Sequence, residues 1–159
     1  MVPATVEALE GELLKVVQTL AVFKDKAYSV FNVDDLERFT EGQTASLPIV
    51  GIGFNGSRPV RNQIDPHGKG DRGVSFVDVS FMLIIAMQYA AKGQLDTKHV
   101  ATALLDATRT KLIGYKGVNT RPWRFMGEQP EPAASGEGLI FYSQTWVTSL
   151  PYAGSQTNQ

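Results

Sequence analysis

The sequence predicts an α+β fold, in which a mostly antiparallel β-sheet carries two main helices on one face and includes an extended β-hairpin. Residues 74–87 are the strongest evidence, because every odd position from 77 onward is apolar, which is the period of a β-strand. A second observation is the helical spacing of apolar residues within 5–20. A third is that most of the predicted strands follow one another through loops, as in antiparallel sheets.

The predicted strand at 74–87 differs between its two halves. Its second half is apolar on both faces, which is typical of a central strand covered on both sides. Its first half has Asp78 and Ser80 on the even face, so we expect that face to meet water or another subunit. A strand that is apolar on both faces can also extend a sheet across a subunit boundary, so self-association is expected.

The elements before this strand are less regular. We predict an amphipathic helix over 5–20 with Thr5 near its N-cap, a short strand within 27–32, and a helical turn over 34–39 capped by Asp34. Residues 47–54 are predicted to be an edge or bulged strand, because glycines and a proline interrupt them. Residues 55–73 are polar and rich in glycine, so we predict a long loop there, poorly ordered over 57–72 in the isolated protein.

The second half of the chain predicts one more helix and two strands. The helix begins near Asp96 and ends at Gly114. Strands are predicted at 121–126 and 139–150, joined by an acidic, turn-rich linker. The prediction is thus a single α+β domain over 1–153, followed by a flexible polar tail at 154–159.

Composition restricts the classes of function. The chain has 159 residues, a net charge of −1 and no cysteine, so it offers no thiolate for catalysis or metal binding and no global positive field for nucleic acid. The longest apolar run is too short to span a bilayer and the start lacks a signal-peptide pattern, so we expect a protein of the cytoplasm.

No motif points to catalysis, a cofactor or a metal. The segment GIGFNG at 51–56 matches a dinucleotide fingerprint, but the helix that would hold the pyrophosphate is not predicted after it. His67 and His99 stand alone, without the spacing of a metal site. We therefore expect a protein that is not an enzyme and uses no cofactor, and bulged-strand glycines in place of a nucleotide site.

Two groups of residues are candidates for a subunit or partner interface. The first is the cations of the predicted loop, which would meet an acidic partner or passing nucleic acid, or would be solvated: Arg58, Arg61, Lys69 and Arg72. The second is aromatic and lies on the last two strands, where such side chains pack in a core or anchor an interface: Trp123, Phe125 and Trp146.

The order of these elements resembles that of the tail terminator proteins of tailed bacteriophages, the gpU-like group, over roughly residues 3–153. The resemblance includes the opening helix, a short strand near 28–31, the segment SLPIVGIGF at 46–54 and the long strand at 74–87. The most specific part is 123–152, an aromatic strand, a Gly-Glu turn and a final strand of alternating aromatic and hydroxyl residues.

The resemblance implies a structural role in the virion. Six copies would form a ring on the finished tail tube, stop its polymerisation and join the tail to the head. The implied partners are other copies of the chain, the tail tube protein, a head–tail connector or neck protein and, in a contractile tail, the sheath. Genomic DNA would only pass through the lumen, and no membrane would be involved. The alternatives are another neck or tube ring protein, or a small cytoplasmic enzyme or ligand-binding domain.

Overall fold

The computed structural model describes residues 5–40, 47–60, 74–88, 94–117, 121–132 and 138–153. The described helices are α1 (Val6–Gln18), α2 (Val33–Thr40) and α3 (Gln94–Leu112), with a short 3₁₀ turn at Ala21–Phe23. The strands are β1 (Ala27–Ser29), β2 (Ile49–Pro59), β3 (Val74–Gln88), β4 (Arg124–Glu131) and β5 (Leu139–Ala153).

The five strands form one mixed sheet in the order β1-β2-β3-β5-β4. β3 lies at its centre and is antiparallel to β2 on one side and to β5 on the other, while the short β1 pairs parallel to β2 at one edge. The predicted α+β class and the central position of β3 are confirmed. The residues that join β2 to β3 are outside the described ranges, so the extended hairpin stays a prediction, as does disorder within the rest of that segment.

One face of the sheet, called here the helix face, carries α1 and α3. The odd positions of β3, such as Phe81, Leu83 and Ile85, are buried there among side chains of both helices. Thr5 caps α1 as predicted, because its Oγ1 accepts a hydrogen bond from the backbone N–H of Ala8 at 3.1 Å. The prediction that the two main helices cover one face is confirmed.

Within the described residues, α2 covers only part of the opposite face. Leu36 of α2 is buried with Ile84 and Ala86 of β3 and with Phe141 of β5. The helix begins one residue earlier than predicted, and its cap is Asn32 rather than Asp34. The Asn32 Oδ1 accepts from the backbone N–H of Asp35 at 2.8 Å, as in other N-terminal caps.

β3 and β5 end one and three residues later than predicted, whereas β2 and β4 each extend five residues beyond their predicted ends. β2 continues from Phe54 through a bulge to Pro59, so the first part of the predicted loop is a strand. β4 covers Arg124–Glu131 rather than 121–126, and it also contains a bulge, after Phe125. In both strands the bulge shifts the alternation by one residue, which hides the strand period from a pattern search.

The glycines of the GIGFNG segment allow another part of the chain to cross β2 closely. A Cβ on Gly51 would come within 2.7 Å of the Val30 side chain, and one on Gly53 within 2.8 Å of the Val30 carbonyl oxygen. Both positions are extended strand, and β2 continues beyond them. The glycines therefore serve packing between the segment after β1 and the opposite face.

Candidate functional site

The part of the opposite face that α2 leaves uncovered forms a groove across four strands. It has a volume of about 370 Å³, and we call it the arginine groove. Its floor and walls combine cationic, hydroxyl, amide and apolar side chains from β2, β3, β5 and β4: Asn55, Gly56, Ser57, Arg58, Asp78, Ser80, Arg124, Met126, Thr145 and Val147.

Strand register explains why these residues meet. Arg58 of β2 is paired with Asp78 of β3, which is paired in turn with Ser149 of β5. Residues paired across antiparallel strands have side chains on the same face, so Arg58 and Asp78 share the groove. Arg124 of β4 is paired with Val147 of β5, and both of these residues line the groove beside the first set. The groove is thus assembled from positions more than sixty residues apart, such as Arg58 and Arg124.

Among the described residues, Asp78 is the one carboxylate that lines the groove, and it is already paired. Its Oδ1 accepts from the Arg124 guanidinium at 3.0 Å and from the Ser149 hydroxyl. The Arg124 side chain keeps 54% of its surface exposed and that of Asp78 keeps 29%, so the ion pair lies partly in water. Such a pair contributes little to stability, since exposed pairs are worth about 0–1 kcal/mol.

Arg58 is exposed, and no ion pair to it occurs within the described ranges. A smaller cavity of about 210 Å³ adjoins the groove, and it is lined by Arg121 as well as by Asp78 and Arg124. The Arg121 guanidinium lies over the Phe76 ring at 4.9 Å. Three arginines therefore surround one carboxylate, and the uncovered surface carries a local positive charge although the chain as a whole is slightly negative.

An arrangement of this kind suits recognition of an acidic group. Arginine side chains bind carboxylates and phosphates through paired hydrogen bonds, and they keep their charge at all physiological pH values. The groove also offers the apolar side chain of Met126, which is 60% exposed. The combination fits a ligand that has both an acidic and an apolar group.

The predicted interface residues divide between the two faces. Arg58 lies in the arginine groove, whereas Arg61, Lys69 and Arg72 lie outside the described residues. Trp123 and Trp146 are 1% and 0% exposed in the cluster on the helix face. This corrects the interface interpretation for both tryptophans, because rings so deep in the core cannot contact a partner.

Phe125 has an intermediate position. It is partly buried against the same cluster, and its ring is tilted against Trp146 at a centroid distance of 5.3 Å. The Arg109 guanidinium of α3 lies 5.9 Å from the centre of the Phe125 ring. Phe125 is therefore a packing residue between α3 and β4, with only part of its surface open to a partner.

The helix face also contains a polar network that joins α3 to β4 and β5. Buried Gln144 donates to the Leu105 carbonyl oxygen at 3.2 Å and to Glu128 at 3.0 Å, and it accepts from the Trp146 indole at 3.2 Å. Glu128 in turn forms an ion pair with Arg109. Because these groups satisfy one another, the network is best explained as structural.

One carboxyl group on α1 has a shifted pKa. Partial burial raises the pKa of Glu12, and a hydrogen bond with Tyr115 opposes that rise. Tyr115 follows α3, so this contact joins the two helices of the helix face. It lies apart from the arginine groove.

The described part of the chain contains no group of three or more His, Asp or Glu side chains placed to hold a metal ion. Among the described helices, none is both long and apolar enough to cross a membrane.

Sequence reasoning missed Arg121, Arg124 and the role of Asp78. A signal was present, because the even positions of β3 change from apolar to polar at Asp78 and Ser80. The partner of Asp78 lies 46 residues away, and no local pattern identifies it.

Comparison with known proteins adds no relative. No protein-family model matches the chain, and no curated protein matches it in sequence.

Proposed function

We propose that the chain is a structural virion protein, a tail terminator that forms a ring at the head-proximal end of the phage tail tube. In this role it would stop tube polymerisation and join the tail to the head connector. The proposal is motivated by the order of helices and strands, which resembles that of tail terminator proteins. The observation that best supports it is the arginine groove, a broad uncovered part of a central sheet with the mixed chemistry of a contact surface.

The way in which copies would meet differs from the sequence-based expectation. β3 is paired along both sides, so it cannot extend the sheet into a neighbouring subunit. Among the described strands, free edges remain on β1, on the part of β2 that extends beyond β1, and on β4, and the two longer ones, on β2 and β4, carry features that oppose pairing with another strand. Each has a bulge, and each has a proline, Pro59 in β2 and Pro130 in β4.

The prolines matter because of the direction of their backbone nitrogens. The N–H of Val60 donates to Phe76 of β3 at 3.1 Å, and successive residues in a strand point their backbone groups in opposite directions. Pro59 therefore faces away from β3, where it presents no donor to an incoming strand. Subunit contacts in the proposed ring thus use side-chain surfaces such as the arginine groove.

Electron microscopy of virions tests the proposal. A phage in which this chain carries a small C-terminal tag would be labelled with an antibody fragment, and the position of the label would be recorded. The proposal expects a ring of label at the junction of head and tail. Label absent from particles, or spread along the whole tail, would contradict it.

Removal of the gene separates the terminator from the alternative, another ring of the tube or neck. Without a terminator, tail tubes should form and grow to irregular, excess length. A component needed earlier in assembly would instead give no tubes at all. A matched lysate complemented with the intact gene serves as the control for both outcomes.

A further inference from the structure

Phe31 is the most exposed large apolar side chain of the described residues, at 91%. It lies between β1 and α2, in a segment that is held firmly. Its backbone N–H donates to the Asp35 carboxylate at 3.0 Å, while the Asp35 N–H donates to Asn32. A phenyl ring held in water by its backbone at such a site gains from being covered, because apolar burial stabilises at about 25 cal/mol per Å².

This ring and the arginine groove lie on the same face of the sheet. The chain from Val30 to Phe31 crosses above Gly53 on the opposite face, where a Cβ would come within 3.4 Å of the Phe31 carbonyl oxygen. Gly53 is followed by Asn55 and Gly56, which line the groove. The exposed ring therefore stands beside the groove and outside it.

The two surfaces are complementary in size and chemistry. The groove has a volume of about 370 Å³, which leaves room for a phenyl ring beside its polar side chains. Met126 supplies an exposed thioether, a favourable neighbour for an aromatic ring. Asp34, three residues after Phe31, is an exposed carboxylate, and Arg58 is an exposed guanidinium.

We propose that the arginine groove of one copy binds Phe31 of a second copy, with Asp34 of the second copy against Arg58 of the first. Because both surfaces lie on one face, two copies packed face to face can each insert a ring into the groove of the other. We take the contact to be of this reciprocal, two-fold kind, which ends at a dimer. The dimer is a state of the free protein, since it fills the groove that the proposed ring uses and must open before a ring forms. The inference goes beyond the proposed function and does not depend on it.

The groove could in principle bind an acidic segment of a different protein. Self-docking is favoured because the same chain carries both the groove and a matching apolar and acidic group.

The first test is the mass of the full chain in solution, by sedimentation velocity over a concentration series. We expect a dimer for the wild type, and Phe31→Ser should weaken dimerisation at least about 30-fold, the size expected for a central interface residue. Ile113→Ser is the matched control, because Ile113 is 59% exposed on the segment after α3, and it should leave the dimer intact. Circular dichroism and melting temperature show whether each variant folds.

A charge exchange tests the ion pair independently of the ring. Asp34→Arg and Arg58→Asp should each weaken the dimer, and the double variant should recover most of the loss. A wild type that stays monomeric to millimolar concentration would overturn the proposal, as would a dimer that Phe31→Ser leaves unchanged. An additional loss in the double variant would also contradict it.

The absence of cysteine makes a symmetry test possible. A variant with Arg38→Cys near Phe31 and Asn55→Cys in the groove would be treated with a short bismaleimide cross-linker. A reciprocal contact predicts a covalent dimer that does not grow. A ladder of larger species would show a head-to-tail contact and overturn the two-fold arrangement, and no cross-linked product would overturn the contact itself. This result is independent of where the protein lies in a virion, so it can fail while the proposed function holds.

Discussion

The face of β3 that carries its even-numbered residues has two halves, which differ in burial and in polarity. Ile84 and Ala86 lie in the half that α2 covers, and both are buried. Asp78 and Ser80 lie in the other half, where the groove is open. The same strand therefore supplies a core on one part of this face and an open, polar surface on the other.

Element lengths explain why the coverage is incomplete. β3 has 15 residues and extends about 50 Å, whereas α2 has 8 residues and extends about 12 Å. On the helix face, α1 and α3 have 13 and 19 residues, which together extend about 48 Å. Two helices are long enough for one face of this sheet, and α2 alone is too short for the other.

The largest expected effect is on the helix face. Phe81→Ala should lower the free energy of unfolding by about 3–5 kcal/mol, and Ile85→Ala by about 2–5 kcal/mol, because both side chains are fully packed. Urea denaturation measures both. An unchanged midpoint in both variants would show that the odd positions of β3 are not the core.

A pair of substitutions compares the two halves of the opposite face directly. Ile84→Ala should cost about 2–5 kcal/mol, since Ile84 is 1% exposed under α2. Ser80→Ala, four residues away in the open half, should change stability by no more than about 0.5 kcal/mol. If urea denaturation shows equal losses of unfolding free energy at the two positions, the two halves of this face do not differ in packing.

The cap of α2 should have an intermediate effect. Asn32→Ala removes the side-chain acceptor of the Asp35 N–H and should cost about 1 kcal/mol. Thermal denaturation by circular dichroism measures the loss. Asp34→Ala is the control, because Asp34 was the cap predicted from the sequence, and its removal should cost less than that of Asn32.

The smallest effect concerns pH and the helix face. Because burial raises the pKa of Glu12, the folded state keeps this proton to higher pH than the unfolded state does. The ordinary pKa of a glutamate is 4.5, and the pKa of Glu12 in the folded state is higher. The contribution of Glu12 to stability therefore falls as pH rises from the first of these pKa values through the second. Glu12→Gln lacks this titration, so its stability relative to the wild type should increase between about pH 4 and about pH 7. A relative stability that decreases over this range, measured by urea denaturation, would contradict the assignment.

Much of the fold could be predicted because buried surfaces impose periodic apolar patterns. The alternation in β3 predicted a central strand, and the change at Asp78 predicted that one half of a face is uncovered. The ends of β2 and β4 could not be predicted in this way. Residues 55–59 and 127–131 are polar and contain glycine and proline, and a strand beside an open face needs no apolar side chains there.

The candidate site was predicted only in part. Arg58 was singled out from the sequence, but as a loop cation rather than a strand residue. Its proximity to Arg124 depends on the register of four strands, which local sequence does not specify. The tryptophans were ambiguous from the sequence, since buried and interface aromatics have the same strand pattern.

Tail length is the measurement that tests the central claim most directly, namely that the open half of this face is a contact surface of a tail terminator. Lysates lacking the gene would be complemented with Arg58→Glu, with the predicted pair Arg58→Glu and Arg61→Glu, or with Lys24→Glu, an exposed charge reversal after Phe23 of the helix-face core. Charge reversal at an interface costs several kcal/mol, whereas exposed substitutions change stability little. The account predicts folded protein throughout, tails of irregular and excess length with the arginine variants, and normal tails with Lys24→Glu. Normal tail lengths and full infectivity with the arginine variants would contradict it.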